Sequence, residues 1–215
     1  MDGTAPRARR GRPPKIPRPH GDTREALLRY GMEVLTAQGL SATGIDTVLK
    51  RVGVPKGSFY HYFSSKDAFG LEVLERYADY FARKLDRRLL EEDQPPLRRL
   101  ARFVEDAKAG MAKHDFERGC LVGNLGQEVL TLPDGYRARL EGVLGDWERR
   151  LAACLRLAVE AGELPAGTDC DELASFFWIG WEGAVLRARL AHDVRPLDVF
   201  LAGFLAGARS QDGGA

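Results

Sequence analysis

The sequence predicts an all-α protein, and three observations carry that reading. Apolar residues recur at helical spacing through most of the 215 residues. No stretch alternates apolar and polar residues as a half-buried strand does, and no Gly-Asn hairpin turn occurs. The breaks between periodic segments coincide with Gly39, Gly53, Pro95-Pro96, Pro133-Asp134, Gly162 and Pro196, residues that end or start helices. The expected organisation is a basic arm (1–21), a three-helix domain with a helix-turn-helix (22–66), a larger helical domain (67–210) and a short tail (211–215).

The arm holds Pro6, Pro13, Pro14, Pro17 and Pro19 and few apolar residues, so it is expected to be disordered on its own. Asp22 with Glu25 predicts a helix start, Leu27, Leu28, Gly31, Val34 and Leu35 supply its apolar stripe, and Gly39 closes it. Thr43 is the expected N-cap of a second helix that buries Ile45, Val48, Leu49 and Val52. After Gly53 comes Val54-Pro55-Lys56-Gly57-Ser58-Phe59-Tyr60-His61-Tyr62-Phe63-Ser64-Ser65-Lys66. Phe59 and Phe63 fall on one face and predict core; the hydroxyls, the imidazole and the lysines are left for phosphates and base edges. Helix, glycine-containing turn and polar helix form the layout of a helix-turn-helix DNA reader.

The remaining elements follow in order. A long helix is expected from about Lys66 to Leu90, a second from Pro95-Pro96 to His114, and a glycine-rich one from Arg118 to Leu130. Long helices then run from Pro133 to Gly162 and from Asp169 to His192, and a last one from Pro196 to Ala208. Charge is divided unevenly: residues 1–66 hold 12 Lys and Arg against 5 Asp and Glu, whereas acids predominate in the rest. The basic third suits a polyanion. No apolar run is long enough for a membrane helix, and the basic N-terminus runs into prolines rather than an apolar core. Cys120, Cys154 and Cys170 are odd in number and lack metal-ligand spacing, which fits a cytoplasmic protein with free thiols. No phosphate loop, metal cluster or cofactor motif is present, and no histidine stands in a recognisable partner pattern with Cys120. An enzyme is therefore disfavoured.

Gly39, Thr43, Ile45 to Val54 and Lys56 to Lys66 resemble the DNA-binding motif of the TetR family of bacterial transcriptional regulators. Pro55 departs from it, since many members place a Ser or Thr cap there; proline keeps the helix start and loses the hydroxyl. Further along, Arg118 to Glu128 and Phe177 to Ala184 resemble the acrylate-responsive repressors of that family. They have a looser likeness to N-ethylmaleimide-responsive repressors, which use a reactive cysteine. The resemblance implies a ligand-responsive repressor that binds palindromic operator DNA as a homodimer, with no cofactor. Acrylate or a related small unsaturated carboxylate is the implied effector, and sensing of electrophiles through Cys120 is the alternative.

Candidate DNA-binding residues are Thr43, Lys56, Gly57, Ser58, Tyr60, His61, Tyr62 and Lys66, with Arg10 and Arg12 of the arm. Arg9-Arg10-Gly11-Arg12-Pro13 contains an Arg-Gly-Arg-Pro core of the AT-hook type, which can enter a narrow minor groove. A floppy basic tail is the competing reading, and an effector-independent architectural DNA binder is the competing function. On the helix from Asp169, Gly180, Gly183, Ala184, Arg187 and Ala191 share a side, and Phe200 and Phe204 lie on the last helix. Together they predict a dimer interface. The other side carries Trp178, Trp181, Glu182, Val185 and Arg189 in one sector, and Cys120, Asn124 and Gln127 share a face of the glycine-rich helix. These form the candidate ligand pocket, with Arg189 as a bidentate carboxylate partner or as the cation that lowers the pKa of Cys120. The glycine-rich helix reads either as a moving part or as a close-packed one, and Cys120 either as a nucleophile or as a small buried hydrophobe.

Overall fold

A computed structural model describes residues 20–91 and 93–210. Residues 1–19 of the basic arm, with Arg10 and Arg12, and the tail at 211–215 lie outside the described residues, and the last two positions of the expected arm, 20 and 21, belong to the first helix. Among those described, nine helices and no strands are present: α1 (His20–Gln38), α2 (Ile45–Val52), α3 (Lys56–Phe59), α4 (Lys66–Leu89), α5 (Pro96–Lys113), α6 (Leu121–Gln127), α7 (Tyr136–Glu160), α8 (Cys170–Ala191) and α9 (Arg195–Arg209). The order follows the sequence expectation, with three local differences.

First, α1 begins at His20, so Asp22 stands inside the helix instead of capping it. Thr23 and Ala26 are already buried, and the packed face extends a turn further upstream than the Asp-x-x-Glu pattern suggested. Second, Thr43 does not cap α2; Gly44 occupies that position. Thr43 is only 2% exposed, and its hydroxyl donates to the Gly39 carbonyl at 2.5 Å, closing the turn between α1 and α2. That burial also withdraws Thr43 from the surface offered to DNA. Third, α3 is a single turn. Beyond Phe59 the chain continues in tighter turns, with the His61 amide donating to Ser58 and the Tyr62 amide to Phe59.

Pro55 starts α3 with φ −66° and ψ 152°, a conformation proline holds without strain. Gly53 ends α2 at φ 76°, in the left-handed region that favours glycine. Phe59 and Phe63 point inward and meet Phe69 of α4 edge-on. This aromatic knot fixes the reading segment to the helix leading into the second domain. Ser65 caps α4 by accepting from the Ala68 amide at 3.0 Å, and Asp169 caps α8 by accepting from the Asp171 and Glu172 amides, each cap worth about 1 kcal/mol. The larger domain closes around Phe81, Phe103, Trp147, Phe177, Trp178 and Trp181, whose rings touch one another across α4, α5, α7 and α8.

Candidate DNA interface and effector site

The helix-turn-helix presents Lys56, Gly57, Tyr60 and His61 to solvent, with Ser58 and Tyr62 half-buried. Tyr60 is 57% exposed although its ring meets Phe59 edge-on. Lys56 Nζ pairs with Asp46 of α2 at 3.3 Å. Lys66 Nζ donates to the Ser41 carbonyl at 3.3 Å. Two lysines, hydroxyls and an imidazole thus share one end of the molecule on a short, well-anchored segment, the disposition that phosphate and groove contacts require.

The second domain grips the first at the C-terminal turn of α1. A helix ends with carbonyls that lack intrahelical partners, and here α6, the residue Gly119 ahead of it, and α8 supply the donors. The Thr36 carbonyl accepts from the Gly119 amide and from Asn124 Nδ2, both at 2.9 Å. The Leu35 carbonyl also accepts from Asn124 Nδ2, at 3.2 Å. The Ala37 carbonyl accepts from Arg189 at 2.7 Å, and Arg189 also donates to Asn124 Oδ1 at 3.2 Å and to the Glu117 carbonyl at 3.1 Å. A cation at a helix C-terminus is favoured by the helix dipole. Beside this cap, Glu128 accepts from the Leu40 and Ser41 amides at 3.1 and 2.9 Å, and Tyr136 donates to the Asp67 carbonyl at 2.7 Å.

Two cavities lie against this junction. One, of about 370 Å³ between α6 and α8, is lined by Gly119, Cys120, Asn124, Gln127, Glu182 and Arg189, with Ile179 and Leu186 at its rim. The other, of about 300 Å³, lies between α1, α4, α5 and α8 and is lined by Thr36, Tyr77, Phe81, Lys84, Met111, His114, Arg118 and Trp181. Gly119, Cys120 and Val185 border both. Of the expected ligand residues, Cys120, Asn124, Gln127, Glu182 and Arg189 line the first cavity and Trp181 only the second, whereas Trp178 borders neither and is buried among Phe81, Phe103 and Trp147. Helix α8 buries much of its circumference, so sharing a sector with Glu182 did not put Trp178 beside a void.

The electrostatics favour one of the two readings of Cys120, the small buried hydrophobe. Burial pushes the Cys120 thiol well above its usual range, and the neighbouring Glu182 carboxylate pushes it further. Arg189, the expected activating cation, has its guanidinium turned to Asn124 and α1. Burial also raises Glu182, whose Oε1 has no hydrogen-bond partner among the described residues, while its hydrogen bond with Cys120 pulls the other way. Tyr77 donates to Cys120 Sγ at 3.8 Å. The resting cysteine is a buried thiol rather than a thiolate. Two glycines have a packing reason, Gly119 ahead of α6 and Gly123 within it: a Cβ on Gly119 would overlap the Arg189 chain, and one on Gly123 would overlap the Glu182 carboxylate, while Gly126 faces open space.

Of the expected dimer residues, Gly180 receives the Phe200 ring within the same chain, Ala184 and Phe204 are buried, and Arg187 is exposed. The sequence reading missed a more exposed stripe on α8, formed by Phe176, Ile179, Leu186 and Leu190, with Val199 on α9. The spacing of the four α8 residues was the available signal. It also missed Lys84, although Tyr77, Phe81 and Lys84 stand at i, i+4 and i+7 on α4.

The profile of bacterial regulatory proteins of the tetR family matches residues 27–73, and that of the tetracyclin repressor-like C-terminal domain matches residues 96–204. The chain belongs to the TetR family. It is 53% identical over 192 residues to the transcriptional regulator AcuR of Cereibacter sphaeroides, covering 89% of this chain and 87% of that one. It is 35% identical over 187 residues to the HTH-type transcriptional repressor NemR of Escherichia coli, covering 84% and 91%. The crystal structure of the regulatory protein TetR from Rhodobacter sphaeroides superposes with a TM-score of 0.83 at 52% identity, over 86% of this chain and 97% of that one. As a TetR-family member the chain is a DNA-binding transcriptional regulator. Among the described residues, no helix is long and apolar enough to cross a membrane.

Proposed function

We propose that this TetR-family regulator is a homodimeric repressor that binds palindromic operator DNA and is released by acrylate or a closely related small unsaturated carboxylate. One observation carries the ligand response: the same residues wall the cavities and hold the DNA-binding domain. Gly119, Asn124 and Arg189 line the first cavity and donate to the last turn of α1, while Thr36 of α1 lines the second. A molecule that changes the spacing of α6, α8 and α1 therefore changes the setting of the reading segment. It shifts the equilibrium only by its differential affinity for the two settings. Likeness to AcuR and the motif of the acrylate-responsive repressors support the effector class. The buried, protonated thiol favours reversible recognition over alkylation of Cys120.

In this reading Lys56, Gly57, Ser58, Tyr60, His61, Tyr62 and Lys66 contact the operator, with Arg10 and Arg12 of the arm. The α8–α9 face pairs the two subunits. The test is fluorescence anisotropy of a labelled fragment from the regulator's own promoter region, titrated with sodium acrylate. Release of the fragment is expected, and a Cys120→Ser protein is expected to respond as the parent does. Operator affinity that stays constant at saturating acrylate would overturn the effector assignment.

A further inference from the structure

Three Lys or Arg side chains border the two cavities: Lys84, Arg118 and Arg189. Two are already engaged. Arg189 donates to Ala37, Glu117 and Asn124, and Arg118 pairs with Glu33 at 3.1 Å. Lys84 has no carboxylate within ion-pairing distance among the described residues. The charges around it are Arg87 and Arg88 on its own helix and Asp106 of α5, and Asp106 is hydrogen-bonded to Arg88 at 2.5 Å. Its ammonium lies 5.6 Å from the centre of the Phe103 ring, which in turn packs against Trp181 at 5.2 Å. Burial lowers the Lys84 pKa, the mark of a cation withdrawn from water without a full counter-charge.

The first cavity is the poorer place for an anion. Its buried acid, Glu182, has no cation paired with it among the described residues and would repel a carboxylate once ionised, and its arginine is fixed to α1, whereas Glu33, the acid that lines the second cavity, is paired with Arg118. We infer that the carboxylate of the effector binds in the second cavity, on the ammonium of Lys84, with its hydrocarbon end against Phe81 and Trp181, which line that cavity. This rests on the effector class proposed above and moves its anchor from Arg189 to Lys84. A small monocarboxylate supplies the missing counter-charge in a partly desolvated site, where pairing is stronger than in water. Lys84 is carried by α4, the helix whose first turn follows the reading segment directly. The anchor therefore acts on the element that joins the two domains.

Isothermal titration calorimetry of the full-length protein with acrylate, propionate and acrylamide tests the inference. Acrylate and propionate are expected to bind within about tenfold of each other, because charge rather than the double bond sets affinity, and a tenfold ratio corresponds to about 1.4 kcal/mol. Acrylamide, isosteric and neutral, is expected to bind at least tenfold more weakly than acrylate. Lys84→Met, with its fold checked by circular dichroism, is expected to lose at least tenfold in acrylate affinity. Equal binding of acrylate and acrylamide by the parent would overturn the charge pairing even if the variant failed to fold. A folded Lys84→Met protein with parental acrylate affinity would overturn the assignment to Lys84. Binding of propionate that depends on Lys84, without binding of acrylate, would remove acrylate as effector and keep the site. No binding of any short monocarboxylate would overturn the site itself.

Discussion

Glu182 shows how one residue records the character of its surroundings. It is a carboxyl in a buried position, raised by desolvation, with one oxygen unpartnered and the other close to the space that Gly123 leaves open. A carboxyl whose folded pKa exceeds its unfolded value of about 4.5 stabilises the fold only while protonated. That contribution is complete below the unfolded pKa and is lost as pH rises through the folded one. Glu182→Gln does not titrate, so its melting temperature is expected to gain on the parent's as pH rises from about 5 to about 8. A difference that stays constant over that range, measured by differential scanning calorimetry, would show that Glu182 ionises freely in the fold. Cys120 does not confound the comparison, because its thiol lies well above the neutral range. The sequence placed Cys120 and Glu182 on facing helices through spacing alone. It did not reveal their effect on each other, because burial, the push of the carboxylate on the thiol and the hydrogen bond between them depend on how closely the α6 segment approaches α8, where Gly119 and Gly123 leave room for the Arg189 and Glu182 side chains.

At the scale of elements, the junction between α1, α6 and α8 is where the two domains become one machine. Its donors are an amide, an asparagine and an arginine drawn from segments far from α1 in the chain; Arg189 and Ala37 are 152 residues apart. Helical periodicity assigns a residue to a face of its own helix and is silent about which distant carbonyl that face meets. For this reason Arg189 was legible as a polar residue at a cavity and not as a cap. Trp178 shows the same limit, since a helix buried over much of its circumference offers several apolar sectors and only packing tells core from cavity wall. By contrast, the order of the helices, the Phe59 and Phe63 core face and the Asp169 helix start were legible because each depends on neighbouring residues. Arg189→Met retains most of the chain's apolar stem and removes the donors. It is expected to lower stability by about 1–3 kcal/mol, the usual cost of a lost charge-assisted hydrogen bond at a part-buried site. Hydrogen–deuterium exchange is expected to speed up around the end of α1 and the turn to α2, while α7 keeps its protection. Unchanged exchange in that turn would mean that Asn124 and Gly119 hold the junction without the arginine.

For the whole molecule, the decisive question is how two reading segments are held at a fixed separation. A single turn of α3 with its flanking residues contacts few base pairs, and two-fold pairing is the general remedy. The α8–α9 face offers the required surface. Ile179 is 74% and Leu190 72% exposed, with Phe176 and Leu186 between and before them along the same stripe. Next to it, a groove lined by Gly183, Arg187, Ala191, Pro196 and Val199 gives a partner helix room to approach. Apolar side chains exposed in a continuous stripe mark an interaction surface more often than isolated ones do. The small residues singled out from the sequence border this stripe, but Gly180 is filled by Phe200 from the same chain, so the proposed pairing assigns the contact to the larger side chains. Ile179 and Leu186 also stand at the rim of the first cavity, which puts that cavity beside the proposed pairing surface, whereas the Lys84 cavity is bordered by α1, α4, α5 and the Trp181 and Val185 side of α8. Replacing Leu190 with Glu, together with Phe176 with Lys, puts charge into the stripe at positions outside both cavities. Sedimentation equilibrium is expected to change from dimer to monomer, and operator affinity to fall by at least tenfold, because a monomer loses the contacts of one half-site. A variant that sediments as a monomer yet binds the operator as the parent does would show that pairing is not how this protein reads DNA. A variant that remains dimeric would move the interface off the α8–α9 face.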